Sequence, residues 1–162
     1  MEMTAAHKRE LLAEEERLWD ELHTVLDSLT EQEALEQGYY PEGWSAKDVL
    51  AHIGSWLAEA GIALEQIRNG TYRPEELNID ALNEQCLVGM RDLTIRDVRL
   101  QSTAARYRLR QEWAMLPAET PDAETWVKKA GPEHYAEHLP RLRAWAQEIR
   151  ARDRRNRSRA ED

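Results

Sequence analysis

The sequence predicts an all-α fold, a four-helix bundle, on three observations. Apolar residues recur at three- and four-residue spacing through four long segments. Helix-start signals, Ser or Thr followed three residues later by Glu or Asp, stand at Thr30, Ser45 and Thr94. Glycine (7) and proline (6) are sparse in 162 residues, and alternating β-branched runs are missing, which argues against turn-rich sheet.

The first helix is expected over Ala5–Leu29, with Thr4 as its N-cap. Leu11, Leu18, Leu22, Val25 and Leu29 form its stripe, flanked by Leu12, Trp19 and Leu26. Glu14, Glu15 and Glu16 read as solvated, and neither His7 nor His23 is given a role. A short helical turn follows Thr30, Gly38 stops it, and Tyr39-Tyr40-Pro41-Glu42-Gly43 is a loop. The second helix starts after Ser45, runs to about Arg68 and closes at Asn69-Gly70. Its stripe is Val49, His52, Ile53, Trp56, Ala60, Ala63, Leu64 and Ile67, so His52 lies on the buried side. Gly54 and Gly61 cost about 1 kcal/mol each inside a helix, and close approach of a neighbouring helix would account for them.

A linker over Thr71–Asn78 leads to a short helix, Ile79–Met90, carrying Asp80, Asn83 and Cys86. The third helix follows Thr94, with Val98, Ala105, Leu109 and Leu116 inward. Arg99, Arg106 and Arg110 share one side and read as a solvated basic face, reception of an anionic substrate being the alternative. Residues 117–132 read as a loop containing Trp126. The fourth helix starts near Gly131-Pro132, with proline at a favoured first position. Tyr135, His138, Leu139, Leu142, Trp145 and Ile149 face inward. Pro140 should kink it just past the histidines, because its missing N–H frees the Ala136 carbonyl. Residues 1–150 thus form one domain, and 151–162 a basic tail expected to be disordered.

Charge and cysteine content narrow the function. Net charge is −9, and the segment from Arg150 carries six arginines and three acids, or +3, leaving −12 for the rest. An acidic body repels phosphate backbones and disfavours nucleic-acid binding. No run approaches the roughly 18 apolar residues of a membrane span. Cys86 is the single cysteine, so no internal disulfide forms. Together with the lack of an apolar stretch in Met1–Lys8, this leads to the expectation of a cytoplasmic protein.

The chemistry centres on histidine. In Glu133-His134-Tyr135-Ala136-Glu137-His138-Leu139 two imidazoles sit four residues apart, on one helical face. His52, far upstream, sits on the inner face of another helix. Alone, His52 reads as a hydrogen-bonded core residue and His-x-x-x-His as a chance pair, which lacks the adjacent Glu of a zinc protease. Together, three inward imidazoles would each cost about 1–3 kcal/mol if left unsatisfied, a penalty that a shared metal removes. Asp48, one turn before His52, is placed either to orient its second ring nitrogen or to cap the helix beside Ser45, and capping is preferred. Trp56 and Tyr135 are candidates to line a pocket, but core packing is the preferred reading for aromatics at helical spacing. Cys86 reads as a packing residue rather than a nucleophile.

The segment Trp44-Ser45-Ala46-Lys47-Asp48-Val49-Leu50-Ala51-His52-Ile53-Gly54-Ser55-Trp56, with His134-Tyr135-Ala136-Glu137-His138-Leu139, resembles the DinB-like superfamily of metalloenzymes. It is most similar to maleylpyruvate-isomerase-like and ClbS/DfsB-like members, and Asp80-Ala81-Leu82-Asn83 also matches a recurrent segment of these proteins. The resemblance implies an up-down-down-up bundle and a divalent metal held by His52, His134 and His138. Some members have a carboxylate at one of these positions. It also implies a low-molecular-weight thiol cosubstrate, mycothiol or bacillithiol, and a homodimer. The mycothiol-dependent isomerase has a further C-terminal domain that 162 residues do not accommodate.

From these residues a metal-bound thiol is expected to attack a small electrophile, in S-transfer or thiol-assisted isomerisation. Zinc suits three histidines with an open position, as do nickel and iron. The alternatives are a metal-dependent hydrolase, a protein that sequesters a small toxic molecule for self-resistance, and a structural metal.

Overall fold

Seven helices and no strand form among residues 5–40, 43–116 and 121–161, the residues described by the computed structural model. They are α1 (Ala5–Asp27), α2 (Glu31–Ala34), α3 (Ala46–Asn69), α4 (Ile79–Met90), α5 (Ile95–Met115), α6 (Pro121–Ala130) and α7 (Pro132–Glu161). The Thr4 cap, Pro41 and Glu42 of the expected loop, and residues 117–120 lie outside the described residues.

The helix starts follow the cap chemistry. Thr30 and Ser45 each form a full capping box, with Glu33 and Asp48 reaching back to the cap backbone. Thr94 Oγ1 accepts from the Asp97 amide at 3.1 Å. Gly70, at φ +72°, ends α3 in the left-handed conformation that a Cβ would penalise.

Contacts between named residues fix the helix directions. Along α3 and α5, Lys47 meets the carbonyls of Arg91 and Leu93, Gly54 meets Ser102, and Arg68 meets Glu112. Residue numbers rise together, so the two helices run parallel. Along α1 and α7, Glu15 meets Tyr135, Glu21 meets Arg143 and Ser28 meets Arg150, so these are parallel too. Between α1 and α5 the order reverses: Lys8 reaches the Trp113 carbonyl, Glu15 meets Arg106 and Asp27 meets Arg99. The bundle is therefore up-down-down-up over α1, α3, α5 and α7. A parallel pair needs a long return connection, and residues 70–94, including α4, make it. Fully buried Leu22, Ile53, Leu57, Leu64, Val98, Trp113, Leu142 and Trp145 fill the centre.

The α3–α5 contact is the most extensive between elements, and Gly54 permits it. A Cβ there would overlap Ser102 Oγ and sit 3.1 Å from the Ser102 Cα. The hydroxyl is pinned by donation to Val98 (2.8 Å) and Leu50 (3.2 Å) carbonyls. Gly61 is different, since a Cβ there would meet Arg108 side-chain carbons at 3.5 and 3.6 Å and the Leu109 nitrogen at 3.8 Å, all ordinary contacts. Gly54→Ala is therefore expected to destabilise by about 1–2 kcal/mol, overpacking outweighing the helix-propensity gain. Gly61→Ala should be neutral or stabilising. Urea unfolding of the two variants checks the contrast.

Several expectations are corrected. Residues 121–130, read as loop, form α6: Pro121 opens it, Asp122 and Glu124 occupy its first turn and Lys128 and Lys129 its last. Ala123, Val127 and Ala130 give it a buried edge. Glu15 is not solvated but 1% exposed. It takes two bonds from Arg106 (2.6 and 3.0 Å), an ion pair from Arg110 and the Tyr135 hydroxyl at 3.0 Å. Arg106 is accordingly buried, and Arg99 pairs with Asp27, so these arginines neither form a free basic face nor await an anion. Residues 151–161 continue α7 as a solvated helical end, with Arg152 stacked over Trp145.

Candidate metal centre

The parallel placement of α1 and α7, locked by Glu15 and Tyr135, turns the opposite face of α7 toward α3. His134 and His138 lie on that face, one turn apart, and His52 meets them from α3. The ring centroids are 4.7, 5.2 and 4.9 Å apart, and one nitrogen from each ring lies within 4.8 Å of the others. All three side chains are buried, at 8%, 8% and 5% exposure. The structure thus brings His52 to a histidine pair that begins 82 residues downstream, and the three could hold a metal ion.

Their hydrogen bonds define which lone pairs are available. His52 Nε2 and His134 Nε2 are 2.8 Å apart, so one of the two donates a proton to the other in the metal-free ring pair. Tyr39 Oη sits 3.3 Å from the His138 carbonyl and 3.2 Å from His138 Nδ1. With the Tyr39 hydroxyl proton on that carbonyl, Nδ1–H can donate back to the tyrosine oxygen, and this is the tautomer that frees His138 Nε2 for a metal. The Tyr40 hydroxyl lies 3.4 Å from the same Nδ1. Burial and the neighbouring Tyr40 raise Tyr39's pKa, so the hydroxyl stays neutral.

Burial also sets the charge state of the imidazoles. It lowers His52 to about 4, with His138 adding to the shift, while the Asn83 side chain, which makes no hydrogen bond to Nδ1, opposes it. Burial lowers His134 to about 3, reinforced by His52 and His138, and it also lowers His138. At neutral pH the group is three neutral nitrogen donors, the form a divalent metal requires. His52 Nδ1 is buried without a hydrogen-bond partner, an unmet polar group in an otherwise satisfied cluster. The donor set therefore fits a metal of the zinc class.

A pH consequence follows. An unfolded histidine takes up its proton near 6.5. The folded His52 and His134 do so only near 4 and 3. Their neutral burial is fully compatible with folding above about 6.5, and stability is lost as pH falls from there toward 4. The loss is on the order of 1.4 kcal/mol per histidine per pH unit. Urea midpoints of metal-free protein at pH 7 and pH 5 should show this drop, and added zinc should raise the midpoint at pH 7 and fail to at pH 4.

Above the histidines opens a cleft of about 980 Å³. Tyr40, Trp44 and Trp56 wall it with Ile79 and Leu87, and Asp80, Asn83, Glu84, Lys129 and Glu137 supply its polar groups. Trp44 stands edge-on to His52 at 5.3 Å. Trp56 lines the cleft, and its Nε1–H donates to Asn83 Oδ1 at 2.9 Å, tying α4 to α3. Tyr135 does not: it is fully buried on the far side of α7, donating to Glu15, because one residue after His134 a helix has turned by 100°. Asp48 is occupied by its cap, accepting from Ser45 N (2.8 Å) and Oγ (3.0 Å), and does not orient His52. Cys86 is half-buried on α4 and does not line the cleft.

Sequence reasoning missed Tyr39 and Tyr40 as partners of His138. Both sit in the loop before α3, where no periodicity marks an inward side chain. The adjacent aromatic pair and the glycine before it were the available signal.

Fold and site together define an up-down-down-up helical bundle of the DinB-like type, with a three-histidine group that could hold a metal. The family model described as the mycothiol maleylpyruvate isomerase N-terminal domain matches residues 16–156, and the chain belongs to this family. The crystal structure of an uncharacterised protein from Escherichia coli UTI89 superposes with a TM-score of 0.73 at 14% identity, covering 87% of this chain and 93% of that one. This likeness shows the shared fold. No curated protein matches the sequence.

Proposed function

We propose that the chain is a metal-dependent enzyme that directs a low-molecular-weight thiol, such as mycothiol, onto a small electrophile, in S-transfer or thiol-assisted isomerisation. The observation that carries this reading is the neutral three-histidine group at the floor of an open, aromatic-walled cleft. Family membership supports the thiol.

His52, His134 and His138 would hold a divalent metal, zinc by donor set, with iron or nickel as alternatives. When bound there, the metal supplies a deprotonated thiol at neutral pH, where a free thiol near pKa 8.5 is mostly protonated. The chain's residues do the rest. Tyr39 holds the His138 ring by its Nδ1–H and so aims Nε2 inward. Trp44 and Trp56 exclude water from one side of the cleft and offer apolar surface to the electrophile. Cys86 lies outside the cleft, so the thiol comes from solution. Among the described residues no helix is long and apolar enough to cross a membrane, and with a single cysteine this supports a cytoplasmic setting. Exposed Ile79 and Val88 on α4 and Leu100, Tyr107 and Met115 on α5 support a homodimer.

The test is metal analysis of the purified protein, followed by thiol consumption with a small electrophile in its presence. Metal-dependent loss of both thiol and electrophile is expected. Bound metal with ester or amide hydrolysis but no thiol consumption would replace this reading with the hydrolase.

A further inference from the structure

Asn83 is the one carboxamide among the described residues that line the cleft, and its two ends can be told apart. It sits half-buried on α4, with the Trp56 Nε1–H of α3 at 2.9 Å from its Oδ1. An indole N–H only donates, so the end that faces it must be the oxygen, and the NH2 must be the other end. The oxygen also stands near His52. The Asn83 side chain raises the pKa of that imidazole against the effect of burial, which is the direction an acceptor gives. Oxygen and nitrogen share one carbon, so the NH2 is held beside the same histidine. It has no hydrogen-bond partner among the described residues, and the nitrogen remains open to solvent. Next to its three neutral imidazoles the cleft thus carries a pair of uncharged donors whose orientation is fixed by a neighbour that cannot accept.

We infer that Asn83 determines which ligand the cleft takes: its NH2 donates to a carbonyl oxygen of the small molecule bound over the three histidines. Trp56 is then a positioning residue, because its indole N–H sets which end of the amide is presented. The inference rests on the cleft being the ligand site of the proposed reaction, though not on the thiol. It gives the electrophile a class, a carbonyl compound, and the walls of Trp44, Trp56, Ile79 and Leu87 give it an apolar or aromatic body. Donation to the carbonyl oxygen draws electron density from the carbonyl carbon, the atom a nucleophile attacks. A hydrogen bond between neutral groups changes affinity by roughly two- to tenfold. An analogue without the oxygen covers the NH2 and leaves it unpaired, so the cleft selects against it.

The probe is acetophenone, a neutral ketone with no thiol, and ethylbenzene is the same skeleton without the oxygen. Each is titrated into isotope-labelled full-length protein, zinc-loaded and metal-free in parallel, while NMR follows the side-chain amide and indole resonances. The Asn83 NH2 signals are identified by their loss in Asn83→Asp. That variant keeps the shape and the acceptor for Trp56 and removes the donors. Acetophenone should shift the Asn83 amide protons saturably, and ethylbenzene should not. Asn83→Asp should bind acetophenone about tenfold more weakly, with the Trp56 indole signal in place. If Asn83 only ties α4 to α3, the aspartate variant keeps that tie and binds as wild type does. That outcome, an Asn83 signal unmoved at saturation, or no saturable binding in either form of the protein would overturn the inference. The wild-type shift is read whatever the stability of the variant. Thiol consumption enters neither readout, so a protein that shows these shifts and consumes no thiol would lose the proposed reaction and keep the Asn83 assignment.

Discussion

Glu15→Ala is expected to remove about 3–5 kcal/mol of stability, enough to leave a domain of ordinary stability, 5–15 kcal/mol, close to unfolding. The cause is not the loss of attraction alone. With Glu15 gone, the Arg106 guanidinium stays buried against Trp19 with no counter-charge, and the Tyr135 hydroxyl loses its acceptor. Burial, the largest cause of its raised pKa, remains in the variant, so the hydroxyl stays neutral and cannot adapt by ionising. Arg110 suffers less, because it is partly exposed and can turn to solvent. Replacing both sides with apolar groups of similar size, Glu15→Leu with Arg106→Met, should recover most of the loss, since no charge is then stranded. Urea unfolding followed by circular dichroism checks the pair; a single variant as stable as wild type would show that the cluster holds nothing together.

The second large effect is on metal content. His138→Ala should bring bound metal to below about a tenth of the wild-type level after dialysis, since even the loss of a partner that orients a ligand costs 10–100-fold in affinity. His23→Ala is the control. Its ring stacks on Trp19 at 4.0 Å, with Nδ1 beside the Trp19 carbonyl at 3.0 Å, and takes no part in the three-histidine group. Elemental analysis of both variants, with circular dichroism to confirm helix content, decides the matter. Metal retained in His138→Ala would remove the ligand assignment.

How far the site was legible in the sequence depended on periodicity. His52, His134 and His138 could be placed on inner faces because each sits in a long helix whose apolar spacing defines that face. Glu15 illustrates the opposite case. It is four residues after Leu11 and three before Leu18, so it lies on the stripe, yet its charge and its neighbours Glu14 and Glu16 suggest solvent. Its partners, Arg106 and Tyr135, are 91 and 120 residues away, and only the helix directions bring them to it. Tyr135 was legible for the same reason as the histidines: the apolar spacing of its helix puts it on the inner face, and core packing, the preferred reading, is what it does. The short helix α6 was hidden between prolines, although its acidic start and basic end were present.

The return connection offers a handle for redesign. Residues 71–90 provide one wall of the cleft through Ile79, Asp80, Asn83, Glu84 and Leu87, yet supply no histidine, and α4 buries no side chain of its own. A different sequence grafted over that stretch, with Asn83 and Met90 kept for their ties to α3 and the core, would leave the three histidines in place. The lining of the cleft can thus be rewritten on a segment that contributes little to the packing of the bundle.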